Sequence, residues 1–217
     1  MTTDAKARRL AYWLLKDVNK AIRDFEMIAE GDRVAVAVSG GKDSLSLLRL
    51  LDWRRESHVD DYELVAIHVS GDAHGPRTPP HQPLVQWLEQ QGYAYAVEPL
   101  YLPEDESLPM DCHRCTWNRR RTIFETAHRL DCNVVAMGHH RDDLAETTLL
   151  NLFYHGRVET MPPQADYFEG TFRLIRPLCY LAEKDLRRFS RACPFPPPVP
   201  VCSQGKDNQR HLMADLI

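Results

Sequence analysis

The chain has 217 residues, 43% of them hydrophobic and 27% charged, a make-up that excludes a disordered or fibrous protein and fits a globular one with its own core. A formal net charge of -4 excludes a general polycation, so contact with nucleic acid must come from local basic patches. No run reaches the ~18 apolar residues of a membrane span, and the first residues lack the pattern of a secretory signal. The expected location is therefore the cytoplasm, with no membrane partner.

In chain order, "LAYWLLKDVNKAIRDFEMI" carries apolar residues at helical spacing and predicts an amphipathic helix over 5–28, closed by "EGD". Five apolar, β-rich runs follow: 33–39, 63–70, 93–100, 133–139 and 172–178. Helical patterns over 44–57, 81–92, 117–131 and 143–156 separate most of them. Strands alternating with helices predict an α/β fold, a five-stranded mostly parallel sheet with helices on both faces. The expected division is an N-terminal helix over 1–30 and a nucleotide-binding domain over 31–217. Near the end, "PFPPPVPVC" cannot be helical and predicts a stiff extended arm that places Cys202.

Ligands of such sheets bind at the carboxyl ends of the strands. "SGGKDS" (39–44) and "GHHRDD" (138–143) both stand there. In the first, Gly40 and Gly41 let the backbone approach an anion, and the following helix offers unpaired N–H groups and its positive end. Ser39 and Ser44 add hydroxyls and Lys42 a charge. Asp43 fits either a helix cap or a carboxylate assisting a metal ion on phosphates. In the second, Asp142 and Asp143 favour a helix start and, with Glu146 one turn on, are candidate Mg2+ ligands. Zinc on His139 and His140 is disfavoured, because adjacent side chains rarely converge on one ion.

Six cysteines in a cytoplasmic chain point to metal ligands, catalytic thiols or core residues rather than disulfides. Cys112 and Cys115 form a C-x-x-C with arginines nearby, open to reading as a redox pair, half a zinc site or part of an iron–sulfur site. Cys132, Cys179 and Cys193 fit packing positions, and Cys202 follows the proline arm. Basic groups recur at 119–121, at Lys16, Lys20 and Arg23, and at Lys184, Arg187, Arg188 and Arg191. Together they suit a phosphate backbone, and Trp117, Phe153 and Tyr154 could stack on a splayed base.

"SGGKDS" after an apolar strand resembles the PP-loop of the ATP-pyrophosphatase superfamily, whose members cleave ATP between the α- and β-phosphates. The whole chain resembles the tRNA 2-thiocytidine synthetases. The strings that carry this are "NKAIRDFEMIAEGDRVAVAVSGGKDS", "CHRC" with its arginine-rich helix, "GHHRDDLAETTLLNLFYHG", "MPP", "IRPL", "EKD" and "NQR", in that order. The resemblance implies ATP and Mg2+ at Ser39, Gly40, Gly41, Lys42, Asp43 and Ser44. It adds His68, Gly138, His139 and Arg176 to the nucleotide contacts, and Lys42, Asp43, Asp142 and Asp143 as catalytic groups. It implies a [4Fe-4S] cluster on Cys112, Cys115 and Cys202. Where the family commonly has P-C-x-x-C, this chain reads Val199-Pro200-Val201-Cys202, with one thiol. The implied reaction adenylates the C2 oxygen of an anticodon-loop cytidine in tRNA and replaces it with sulfur. A cysteine desulfurase or another donor would supply that sulfur, and a homodimer is left open. The alternatives are thiolation of another tRNA base or a small molecule, and a non-catalytic ATP and iron–sulfur module.

Overall fold

A computed structural model describes residues 3–56, 60–76, 79–200, 202 and 213. The "NQR" string at 208–210 lies outside them. Helix α1 (Thr3–Asp24) buries Ala7, Ala11, Leu14, Val18 and Ala21, a stripe at helical spacing that packs into the main core. It ends four residues before the expected boundary, at a turn in which Glu26 takes a positive φ.

Strand β1 (Arg33–Ala37) runs up the middle of the sheet. It is parallel to β2 (Glu63–Ser70) on one side and to β4 (Val134–Ala136) on the other, with Val34 opposite both Leu64 and Val134. Side chains of β1 alternate between the two faces. Val34 and Val36 pack with α2 (Lys42–Glu56), α3 (Gln82–Gln90) and α6 (Glu183–Ser190). Ala35 packs with α4 (Cys112–Arg129). Helices therefore cover both faces of a sheet ordered β3-β2-β1-β4-β6-β5, with β3 at Ala94–Pro99 and β6 at Phe172–Ile175.

The chain moves outward from β1 through β2 to β3, then crosses back by α4 to β4 on the other flank of β1. This reversal puts the switch point between β1 and β4, where an open α/β sheet holds its ligand. The sheet has six strands rather than five. The added strand, β5 (Gln164–Tyr167), pairs antiparallel with β6. Its "QADY" lacks an apolar run because an edge strand buries little. Helix α4 also starts five residues before the expected 117, because the Asp111 carboxylate accepts the Arg114 amide at 2.7 Å and caps it. The C-x-x-C is thus the first turn of a helix. No helix among the described residues is long and apolar enough to cross a membrane.

Candidate nucleotide and cluster site

The loop after β1 is held open by its own hydroxyls. Ser39 and Ser44 approach each other at 3.1 Å, Ser44 Oγ donates to the Gly41 carbonyl at 3.0 Å, and the Gly41 amide donates to Ser39 Oγ. Gly40 adopts φ +82°, a conformation that glycine reaches without strain. Gly138, at the end of β4, lies flat on the start of α2. A β-carbon there would stand 3.0 Å from the Ser44 amide nitrogen and 3.1 Å from its Cα. The two motifs, almost a hundred residues apart in the chain, are thus packed backbone to backbone.

Between them lies a cavity of about 290 Å3 lined by Ser39, Gly41, Asp43, Ser44, Gly138, His139 and Asp143, with Ile67, Val69, Ile123 and Met137 as its apolar wall. The volume is at the small end for ligand pockets. Amides and hydroxyls of the loop meet carboxylates across it. Asp43 makes a 2.9 Å ion pair with Lys42 through Oδ2, while its buried Oδ1 has no partner among the described residues. An unpaired buried carboxylate oxygen on a phosphate-sized loop suits a Mg2+–nucleotide.

The two aspartates of "GHHRDD" divide the work. Asp143 and His140 form a capping box at the start of α5 (Arg141–His155): Asp143 Oδ2 accepts the His140 amide at 2.8 Å, and His140 Nδ1 accepts the Asp143 amide. Asp143 still lines the cavity. Asp142 turns away and accepts the Glu183 amide at 2.7 Å, which satisfies the start of α6. Lys42 does the same in reverse: its Nζ reaches Glu183 Oε1 at 2.9 Å. Burial opposes the charge on Lys42, but the two carboxylates outweigh it and raise its pKa. Glu183 is held down to about 2 by hydrogen bonds from Lys42 and Arg187.

His68 sits beneath the loop, buried, with Nδ1 2.8 Å from the Val38 carbonyl. Burial lowers its pKa, so the ring is neutral and Nδ1 donates to that carbonyl. Arg176, also buried, donates to His139 Nδ1 at 3.2 Å and to the Pro162 carbonyl. His68 and Arg176 thus lie behind the cavity lining, as do Gly40, Lys42 and Asp142.

The thiols approach from α4. Arg119 lines the cavity and donates to the Val69 and Gly71 carbonyls. It stands one helical turn from Cys115 on α4. Burial raises the Cys115 pKa, Arg119 pulls it down, and the nearby Cys202 sulfur pushes it up. Cys202 is thus within electrostatic range of Cys115. Cys112 stands exposed at the first residue of α4. Among the described residues no set of three metal-ligating side chains has already closed on one point. Cys112 and Cys115 on one helical turn, with Cys202 in electrostatic range of Cys115, nonetheless suit a thiolate-held iron–sulfur group.

Cys202 is delivered by the proline arm. Trp87 Nε1 donates to the Pro194 carbonyl at 3.0 Å, and Phe195 packs against Trp87 and Phe189. Val199 then lies on Gly40. By contrast Cys132, Cys179 and Cys193 are buried, and burial pushes the Cys179 thiol up to about 11.

Sequence reasoning missed Arg119, Glu183 and Val199. Arg119 belonged to a basic run read as one of the patches for a phosphate backbone, not as part of the pocket. "EKD" was visible only as a string shared with the family, without a role for its glutamate.

Fold and pocket together define a PP-loop nucleotide-binding protein, and the PP-loop domain model matches residues 14–193. The chain is 39% identical over 210 residues to a tRNA-cytidine(32) 2-sulfurtransferase of Erwinia tasmaniensis, covering 94% of this chain and 67% of that one. It is 40% identical, with the same coverage, to one from Klebsiella pneumoniae. The chain belongs to the PP-loop family and, within it, to the family of the tRNA-cytidine(32) 2-sulfurtransferases. The fold is similar to that of the U34-tRNA thiolase NcsA from Methanococcus maripaludis, solved with its [4Fe-4S] cluster. That match has TM-score 0.75 and 21% identity, and covers 97% of this chain and 72% of the other. NAD+ synthetase from Burkholderia pseudomallei has the same general fold, with TM-score 0.50, 13% identity, and 97% and 91% coverage.

Proposed function

We propose that this chain thiolates tRNA at the C2 position of a cytidine, position 32 by its relatives' names, using Mg-ATP and a [4Fe-4S] cluster. The observation that carries the reading is the single continuous site. The "SGGKDS" loop and Gly138 form one pocket, and Arg119, which lines it, stands one helical turn from Cys115 on the same helix.

The amides and hydroxyls of Ser39, Gly41 and Ser44 hold the pyrophosphate end of ATP. Asp43 and Asp143 hold Mg2+, which fits the unpaired Oδ1 of Asp43 better than a cap role. The apolar wall takes the adenine side. Adenylation turns the cytidine C2 oxygen into a leaving group, AMP. Lys42 balances the charge of the phosphates, anchored by Glu183. Cys112, Cys115 and Cys202 would hold the cluster, which when bound supplies an iron with a free position to carry sulfur. Arg119 partly offsets the burial that disfavours the Cys115 thiolate and stands where the activated base must meet that sulfur. On this reading 31–217 is the catalytic unit, buttressed by the helix of 1–30, the chain is cytoplasmic, and a cysteine desulfurase supplies the sulfur.

The test is anaerobic incubation of the reconstituted protein with Mg-ATP, sulfide and tRNA, followed by nucleoside mass spectrometry. The expected products are pyrophosphate, AMP and 2-thiocytidine. Release of inorganic phosphate, or sulfur on uridine alone, would sink the proposal.

A further inference from the structure

A second concave surface opens beside the nucleotide pocket, on the far side of Glu183. This cleft of about 800 Å3 is lined by Lys6 of α1, Arg141 at the start of α5, and Lys184, Arg187, Arg188 and Arg191 of α6. The four α6 cations sit at i, i+3, i+4 and i+7 and share one face, opposite the buried Leu186 and Phe189. The two acids of the cleft are already engaged. Asp142 accepts the Glu183 amide, and Glu183 is shared between Lys42 and Arg187 at 2.9 and 2.8 Å. Arg141, Lys184, Arg188 and Arg191 have no carboxylate partner among the described residues. Ala182 is the one apolar residue of the lining, so the cleft lacks the aromatic and aliphatic anchors of an ordinary protein-docking groove.

A chain of net charge -4 that gathers six cations around one cleft concentrates positive potential there. We infer that this cleft binds the phosphate backbone of the tRNA, an inference that rests on the proposed tRNA substrate. The geometry adds a reason for its place. Arg187, Glu183 and Lys42 form a continuous ion-pair chain from the cleft wall to the phosphate loop. A backbone seated on α6 therefore holds the loop carrying the target base beside the nucleotide. It also competes with Glu183 for Arg187.

The experiment compares tRNA affinity across a salt series for the wild type, for Arg188→Gln/Arg191→Gln, and for the control Arg33→Gln/Arg55→Gln. The control removes the same charge from the other end of the sheet, at the start of β1 and the last turn of α2. All four arginines reach solvent, and thermal melting checks that each variant folds. The cleft variant should bind tRNA about tenfold or more weakly, with a log K against log salt slope shallower by about 2, at roughly 0.9 per phosphate contact. Its Mg-ATP affinity should equal wild type. Equal tRNA affinity and slope in the cleft variant overturns the inference and leaves the cleft to an acidic protein partner. An equal loss in the control overturns it as a bulk-charge effect. Loss of ATP affinity with tRNA affinity intact assigns the cleft to the nucleotide and also overturns it. Wild-type protein that binds tRNA through this cleft yet forms no 2-thiocytidine refutes the proposed reaction alone, and wild-type protein that binds no tRNA refutes both.

Discussion

Val199 lies against Gly40: a β-carbon on Gly40 would stand 2.2 Å from Val199 Cγ2 and 3.2 Å from its Cβ. The segment that presents Cys202 is therefore seated on the loop that faces the nucleotide. Val199→Ala should loosen this seat and nothing else. The expected result is a lower iron content after anaerobic reconstitution at unchanged Mg-ATP affinity. Gly40→Ala should damage both, because the alanine also meets a left-handed backbone, at about 1–2 kcal/mol. Unchanged iron retention in Val199→Ala would show that the arm is held elsewhere.

Gly138→Ala presses a methyl group onto the backbone of Ser44 and Asp43, which cannot rotate away as a side chain can. Overpacking of this kind costs about 1–3 kcal/mol, and the expected outcome is a lowered melting temperature with weakened ATP binding. Gly156→Ala is the contrast. Gly156 closes α5 at φ +64° with open space around it, so ATP binding should not change. Similar ATP affinities for the two variants would contradict the backbone-to-backbone packing.

Alanine at Cys112, Cys115 or Cys202 should abolish iron retention and thiolation while leaving ATP binding intact. Cys132→Ala and Cys179→Ser should keep the iron, since both side chains are buried in the core. An anaerobic absorption spectrum with iron and sulfide analysis reads the difference. Retained cluster in Cys202→Ala would remove the arm from the ligand set.

The ion-pair chain through Glu183 has a defined pH signature. The folded pKa of Glu183, about 2, lies below the ordinary glutamate value of 4.5. Its contribution is therefore complete above pH 4.5 and is lost as pH falls toward 2. Lys42 is raised above 10.5, so its contribution is complete below that value and is lost as pH rises past it. Between about pH 5 and 10 neither group tilts stability. Glu183→Gln should flatten the acid limb of a urea-unfolding series by about 1 kcal/mol or less, given solvent screening. It should leave the slope between pH 6 and 9 unchanged, and an altered slope there would assign the titration to another group.

The two glycine-bearing motifs were legible in the sequence because each is encoded locally, as an apolar strand running into a turn and a helix start. Gly40, Ser44 and Gly138 all stand where that grammar puts them. Arg119 was not legible, because facing the pocket or the solvent depends on the rotation of α4, which Asp111 sets from outside the expected helix. Glu183 and Val199 gain their roles only when α6 and the arm close on the phosphate loop from more than a hundred residues away. Strand β5 escaped notice for an edge-strand reason: half-exposed residues need no apolar pattern.

The position of the arm sets an order of maturation. Everything that shapes the nucleotide pocket is complete by α6, and Cys202 follows at the end of a stretch of prolines. Domains generally fold as units during synthesis, N-terminal parts first. The third thiol thus joins the site only when the arm is laid back onto the phosphate loop. Without the arm in place, Cys112 and Cys115 would be two thiols at an open helix end, Cys112 exposed to solvent, where oxidation favours a disulfide between them over metal.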